Sequence, residues 1–417
     1  MQETRINIDS EIGALNAVMV HRPGREIENM TPASAAEVLY DDILNLQLAE
    51  REHDQLTGVL KQVAEVHEFE DLLRETLADR RIKGLLIDEL VRLYECEELA
   101  PELKDLDETE LAAQLFQGTP MRKDSLEKFL SPLRHAIPPL PNAFFTRDAV
   151  MAVNDSAIIG SMAFKARFAE ALLLKAIFKY HPRLHTNGFY FDGTIGASEK
   201  ITIEGGDLLV LRDDLILIGY SERTTPRGID KLMRAIAEKG GVQNFIVVEI
   251  PKSRATIHLD MIFTMADRDA CVVFPPLITG IHKCPAFHVH FEDSKVKRIV
   301  EYTGLLEALR TQGLDLRPIA CGGSDELRQE REQWSSGANF FAMAPGHIVG
   351  FEHNQATAEE LGKNGFEIVT AGAVIREERK LEPGRPTLVT MEGSELSRGG
   401  GGCRCMTMPL NRSVVDW

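Results

Sequence analysis

Three short polar clusters stand at the ends of apolar, strand-like runs: Phe145-Thr146-Arg147-Asp148, Glu204-Gly205-Gly206-Asp207 and His258-Leu259-Asp260. They bring carboxylates and an imidazole, the groups that hold a cation and move protons. If Thr256 to Phe263 is a strand, His258 and Asp260 lie two apart on one face and can meet one ligand together. An isolated His-x-Asp also occurs as a plain hydrogen-bonded pair at a strand end. Asp148, Glu204 and His258 follow one another at 56 and 54 residues, nearly equal steps, as expected if repeated modules each offer a strand end to a shared centre. A fourth feature is Ser397-Arg398-Gly399-Gly400-Gly401-Gly402-Cys403-Arg404-Cys405-Met406-Thr407-Met408-Pro409. Its glycines permit close backbone approach, and a thiol after such a loop, beside Arg404, is a candidate nucleophile. Cys405 takes that place; in an extended segment Cys403 would face the same side and compete for it. No Lys-Ser/Thr and no helix follow the glycines, so the loop is not a phosphate cradle. His282, Cys284, His288 and His290 are the one compact group with zinc-ligand side chains. They read more simply as satisfied surface or core residues, and no metal is expected.

The elements that must position these groups change in texture along the chain. Leu15 to His21 reads as a strand closed by Arg22-Pro23-Gly24. From Ala33 to about Val66 apolar residues recur at helical spacing, and the stretch is expected to be helix. Residues 70–131 continue in helical periodicity without a convincing strand and read as an inserted helical subdomain within a single domain spanning 1–417. After Pro141 come short apolar runs: Ala149 to Val153, Leu208 to Leu211, Leu215 to Ile218, Phe245 to Ile250 and Cys271 to Phe274. Helices at Ala166 to Lys179 and Asp230 to Lys239 separate some of them. The fold class is therefore α/β, and the hairpin-like pair 208–211 and 215–218 makes the strand pairing mixed.

Composition excludes several classes of function. In 417 residues, 44% are hydrophobic and 27% charged, the balance of a globular chain with a sizeable core. Lys and Arg number 47 against 64 Asp and Glu, giving a net charge of −17 and no basic run, so nucleic acid is not an expected partner. Residues 1–13 carry Glu3, Arg5, Asp9 and Glu11 and have no apolar core of a signal peptide. No apolar stretch approaches a membrane span. Six cysteines lie scattered without framework spacing, so a cytoplasmic, reducing location is expected. A homo-oligomer is the expected assembly.

Taken in order, the motifs resemble the arginine deiminase family of the guanidine-modifying, amidinotransferase-like superfamily over nearly the whole chain. The match runs through Ser10-Glu11-Ile12-Gly13, His21-Arg22-Pro23-Gly24, Asp41-Asp42-Ile43, Glu52-His53-Asp54 and Pro141-Asn142. It continues through Asp148, Glu204-Gly205-Gly206-Asp207, His258-Leu259-Asp260, Ala344-Pro345-Gly346 and Cys405-Met406-Thr407-Met408-Pro409. The resemblance implies a closed α/β propeller of five pseudo-repeated modules with a helical insertion. It implies hydrolysis of L-arginine to L-citrulline and ammonia through a Cys-bound thiouronium, without metal or cofactor. Cys405 then matches the nucleophile, His258 the general acid and base, and Glu204 the carboxylate that orients it. Asp148 and Asp260 match the pair that grips the guanidinium. Asn142 and Phe145 line the pocket, while Arg167 and Arg223, each 19 residues after a carboxylate, fall where the family contacts the substrate's α-carboxylate. Gly400 stands where many relatives carry an arginine, leaving Arg398 and Arg404 as candidates for the local substrate contact. The segment 376–391 is longer than the family's usual connection. The alternatives are a relative sharing the covalent intermediate (arginine dihydrolase, citrulline ureidase or amidinotransferase) and a non-catalytic arginine-binding protein.

Overall fold

A computed structural model describes residues 3–417 apart from Ala33 and Ala197. The recurring unit is an antiparallel hairpin whose second strand pairs in parallel with a later strand reached through a helix. It appears at Val150–Val153, Ser156–Ile159 and Phe189–Asp192, joined by helix Phe168–Tyr180. It recurs at Leu208–Arg212, Leu215–Tyr220 and Asn244–Glu249, joined by helix Pro226–Glu238. The third copy is Phe263–Met265, Ala270–Val273 and Arg317–Ala320, with helix Leu305–Thr311 on the crossover. In the fourth, Phe341–Ala344 and His347–Phe351 are followed by helix Gln355–Lys363, then by Glu367–Thr370 and Thr387–Met391. The last copy joins the chain ends: Met408–Arg412 pairs antiparallel with Leu15–Val20, which pairs in parallel with Glu65–Glu68 beyond helix Leu46–Leu60. The fold is thus mixed α/β.

Local sequence explains these elements. Leu215–Tyr220 is a continuous apolar run because both faces of the strand are covered. Helix Pro226–Glu238 starts where Thr225 accepts from the Gly228 N–H, with proline in the first turn. Its buried residues Ile229, Leu232, Met233 and Ile236 return at three- and four-residue steps along one face. Helix Phe168–Tyr180 is apolar nearly all round, and it is buried accordingly, between its own sheet and the helices Phe69–Leu77 and Arg80–Leu93. Two hydrophobic clusters form the core, and the one holding Leu72, Ile87, Leu111 and Leu173 joins the helical layer to the sheet at Ile158.

Two expectations need correction. The stretch expected as one helix from Ala33, which itself lies outside the described residues, is a short 3₁₀ turn at Ala36–Val38, a loop, and then helix Leu46–Leu60. Asn45, whose side chain accepts from the Leu48 N–H, fixes that helix start. Val66 belongs to the parallel strand, so its apolar periodicity came from sheet packing. Within the helical layer, Thr119–Pro120 pairs antiparallel with His135–Ile137, a short strand where none was expected. No helix among the described residues is long and apolar enough to cross a membrane.

Candidate active site

Each unit places polar residues just ahead of its first strand. Asp148 precedes Val150, Glu204 and Asp207 precede Leu208, His258 and Asp260 precede Phe263, Asn339 precedes Phe341, and Cys405 precedes Met408. These side chains are all buried. His258 and Asp260 do not sit in a strand as expected. His258 caps a 3₁₀ turn at Leu259–Met261 and Asp260 lies within it, and the Leu259 N–H bonds to Asp207 Oδ1 at 2.9 Å instead of to a ladder partner. Gly206 makes room: a Cβ there would lie 2.4 Å from His258 Nδ1. The Cys403–Cys405 segment is a turn, not extended, so the thiols part. Cys403 Sγ rests 3.7 Å from Met391 Sδ, while Cys405 reaches a cavity of about 20 Å³ shared with Asp148, His258, Asn142, Phe145, Arg167 and Arg223.

Distances around the centre are short. His258 Nε2 lies 3.0 Å from Glu204 Oε2, and its Nδ1 lies 3.8 Å from Asp148 Oδ1. Cys405 Sγ is 3.7 Å from Asp260 Oδ2. Arg167 donates from Nη1 to Asp148 Oδ2 at 2.6 Å and holds Glu170 with its other nitrogens. Arg223 donates to Glu204 Oε2 at 3.2 Å and lies over the Phe164 ring. The Asn142 carbonyl accepts from Arg167, and its amide donates to the Val38 carbonyl at 2.8 Å. Among the described residues, Asp148 Oδ1, Asp260 Oδ1 and Arg223 Nε are buried without a hydrogen-bond partner. Leaving such groups unmatched is costly, and two orphaned carboxylate oxygens are what a cationic N–H donor would relieve.

Electrostatics divide the roles. Burial pulls the His258 imidazole toward neutrality, but Asp148, Glu204 and Asp207 reverse that and raise it to about 9, so it is an imidazolium at neutral pH. Burial would push Glu204 up, yet Arg223, the imidazolium and Arg167 hold it down at about 2. Burial, with the Asp260 and Asp148 charges, pushes the Cys405 thiol well above its ordinary range. Asp148, Glu204 and His258 are the one group among the described residues whose ligand atoms lie within 4.8 Å of one another and could hold a metal ion. Their charges are already met by Arg167 and Arg223. In the compact group weighed for zinc, His288 and His290 both turn to Asn244 Oδ1, at 3.1 and 2.9 Å.

The two arginines of the final loop weighed for the substrate contact lie in different surroundings. Arg404 is sealed in the core, where Nε and Nη2 hold Glu11 at 2.9 and 3.0 Å and Nη1 holds Asp260 at 2.9 Å. Its guanidinium is spent on fixing Asp260. Arg398 pairs with Glu395 and Asp42 farther out, where it borders two larger depressions of about 620 and 260 Å³. The second of these shares Arg254, Ile257 and Gly400 with the cavity at Cys405 and so adjoins its mouth. Arg254 itself was missed; it ties Leu39 and Asp41 across that mouth at 2.7 and 2.8 Å. Glu11 and Glu170 were missed as well. Glu170 lies one helical turn from Arg167, a spacing that could have revealed it, whereas Glu11 is 393 residues from Arg404 and no local pattern joins them.

The same architecture occurs in solved structures of guanidine-modifying enzymes. The amidinotransferase SxtG from Microseira wollei matches with a TM-score of 0.54 at 13% identity, covering 98% of both chains. The N-terminal domain of ArgZ, a cyanobacterial arginine dihydrolase, matches with a TM-score of 0.53 at 12% identity, covering 96% of this chain and 99% of that one. The fold is thus that of the amidinotransferase-like enzymes. Within that class the arginine deiminase family model matches residues 36–412, and arginine deiminases of Bacillus cereus (strain B4264) and Oenococcus oeni are 32% and 31% identical. Those alignments cover 98% and 100% of this chain and 99% of each relative. The chain belongs to the arginine deiminase family.

Proposed function

We propose that the protein hydrolyses L-arginine to L-citrulline and ammonia, with Cys405 as nucleophile. His258 is the proton donor and acceptor, Glu204 orients it, and Asp148 and Asp260 grip the guanidinium. Arg167 and Arg223, with Asn142 and Phe145, receive the rest of the amino acid. The carrying observation is the pair of unpartnered buried oxygens, Asp148 Oδ1 and Asp260 Oδ1, beside a thiol and an imidazolium. A guanidinium is planar and presents five N–H donors, so two carboxylates can fix its central carbon over the sulfur. Its positive charge also offsets the Asp260 and Asp148 charges that, with burial, hold the thiol protonated, so the thiol gives up its proton to solvent and the thiolate forms as the substrate seats. The S–C bond forms, the His258 imidazolium protonates one nitrogen, and the C–N bond breaks to release ammonia and leave an S-alkylthiouronium. Neutral His258 then takes a proton from water as its oxygen attacks the same carbon. Collapse breaks the C–S bond, the oxygen's remaining proton passes to solvent, and citrulline leaves with the sulfur returned as thiolate. Since the cavity has room for about one water, admission of arginine requires the Leu39 segment or the glycine loop to move.

We further propose that the five units close into a propeller around this centre, in one catalytic domain with residues 70–131 as its insertion. Their five strand ends converging on one site support that arrangement. The reading also places the protein in the cytoplasm as a homo-oligomer that does not bind nucleic acid. The charge of −17 supports the last point, and the exposed Leu126, Phe129, Leu130 and Leu133 support self-association. The test is product stoichiometry from purified protein and arginine: one ammonia per citrulline is expected, with Cys405→Ala inactive but still binding arginine. Ornithine with additional ammonia would replace this reading by a dihydrolase.

A further inference from the structure

Four of the five units contribute the groups assigned above; the remaining unit presents Asn339 in the equivalent place, two residues ahead of strand Phe341–Ala344. Its side chain is 1% exposed and makes contacts on both ends of the amide. Oδ1 accepts from the backbone N–H of Arg404 at 3.0 Å and of Cys405 at 3.3 Å. Because those two donors require the oxygen on that side, the NH₂ group is committed to the other. There Nδ2 donates to the Asp260 carbonyl at 3.1 Å, lies 3.3 Å from Cys405 Sγ, and is 3.8 Å from Met261 Sδ. The neighbouring loop is built around it: a Cβ on Gly402 would lie 2.7 Å from Asn339 Oδ1 and 2.8 Å from its Cβ.

We propose that Asn339 is a further catalytic residue, whose side-chain N–H hydrogen-bonds the Cys405 sulfur and stabilises its anionic form while its oxygen holds the backbone that carries that sulfur. The inference rests on Cys405 being the nucleophile. Asp260 Oδ2 and Asp148 oppose a negative sulfur, and Asn339 is the donor side chain facing it. A hydrogen bond to the charged form of a group favours that form, so the amide shifts the thiol toward thiolate both when the substrate seats and when the second step expels it. The same side chain joins the Cys405 turn to the Asp260 turn, so the sulfur and the guanidinium clamp keep a fixed separation.

The test uses the full-length protein and follows alkylation of Cys405 by iodoacetamide against pH, read at that residue by mass spectrometry, alongside arginine turnover. Asn339→Asp keeps the accepting oxygen but replaces the donor with a second acceptor. It is expected to slow alkylation at pH 7.5 by about 10- to 100-fold and to move the alkylation midpoint up by about one to two pH units. The parameter kcat is expected to fall by a comparable factor, with KM for arginine changing less than about threefold, since the oxygen and guanidinium contacts remain. Asn339→Ser, which can keep a donor near the sulfur, should recover part of the alkylation rate; if the Asp form does not fold, Asn339→Ala, which has no donor, takes its place and should slow alkylation likewise. Asn339→Asp, or Asn339→Ala where only that folds, with wild-type alkylation across pH would overturn the proposal. That outcome is separable from failure of the nucleophile assignment, which turnover by Cys405→Ala would reveal instead.

Discussion

Replacing Glu204 by glutamine should lower the basicity of His258 and narrow the pH range of turnover from its alkaline side. The two groups meet at 3.0 Å with both side chains closed to water, and the carboxylate is ionised because it sits at about 2. A charge-assisted hydrogen bond of this kind is worth about 1.5–3 kcal/mol, and about 1.36 kcal/mol corresponds to one pKa unit. The amide introduced by Glu204→Gln would keep the shape and lose the charge, so His258 should fall by about one to two units, from about 9 to about 7–8. Asp148 and Asp207 remain nearby, which is why the value does not drop to that of a buried, unaccompanied imidazole. The direct assay is ¹⁵N NMR of labelled histidine through a pH titration of wild type and Glu204→Gln. Because the imidazolium must protonate the departing nitrogen, the alkaline fall in kcat should move down by the same interval. If His258 in the variant still titrates near 9, Glu204 does not set its charge and the role assigned to it is wrong.

Cys403→Ala should keep most of the activity, since that sulfur packs on Met391; loss of turnover in this variant would reopen the choice of nucleophile. Arg404→Met should leave Glu11 and Asp260 as unpaired buried carboxylates and cost about 3–5 kcal/mol, read as a lower urea midpoint. An unchanged midpoint with a large rise in KM would return Arg404 to substrate binding. His21, buried between Glu26 and Glu68 and stacked on Phe116, is opposed by burial but raised by both carboxylates to about 10. Its folded value lies above the free imidazole's, about 6.5, so the stability it supplies is complete below that pH and drains away as pH rises toward 10. His21→Gln should flatten the thermal midpoint between about pH 7 and 10, and an equally steep decline in the variant would exclude this pair as its source.

What could be read in the sequence was set by distance along the chain. The polar clusters before the strands were legible because each is contiguous, and the near-equal steps from Asp148 to Glu204 to His258 reflect a unit that does repeat. The hairpin of 208–211 and 215–218 was legible for the same reason, being closed by three residues. Asn339 was not, because nothing in Gly337-Ala338-Asn339-Phe340 differs from an ordinary loop; its meaning comes from Cys405, 66 residues on. The two arginines of the final loop could not be told apart in the sequence since their chemistry is identical, and only burial separates Arg404, locked to Glu11, from Arg398 near the surface. The region expected as one helix from 33 to 66 failed because apolar spacing cannot distinguish a packed loop and a short strand from helical turns.

In the proposed reaction the carboxylates that would grip the guanidinium, Asp148 and Asp260, also oppose the thiolate, and that conflict would be a source of selectivity. Without a cation between them, burial together with the Asp260 and Asp148 charges holds the Cys405 thiol well above its ordinary range. A guanidinium cancels that opposition at the same position where its carbon meets the sulfur, so activation and positioning arrive together. A urea of the same shape, such as the product citrulline, brings no charge and cannot switch the sulfur on. On that proposal arginine is distinguished from citrulline by charge, although their shapes are nearly equal, and the second step would release a product that cannot switch the sulfur on again. The buried Arg404 serves this arrangement from behind: it ties down Asp260 Oδ2 and leaves Oδ1 as the acceptor still free for substrate.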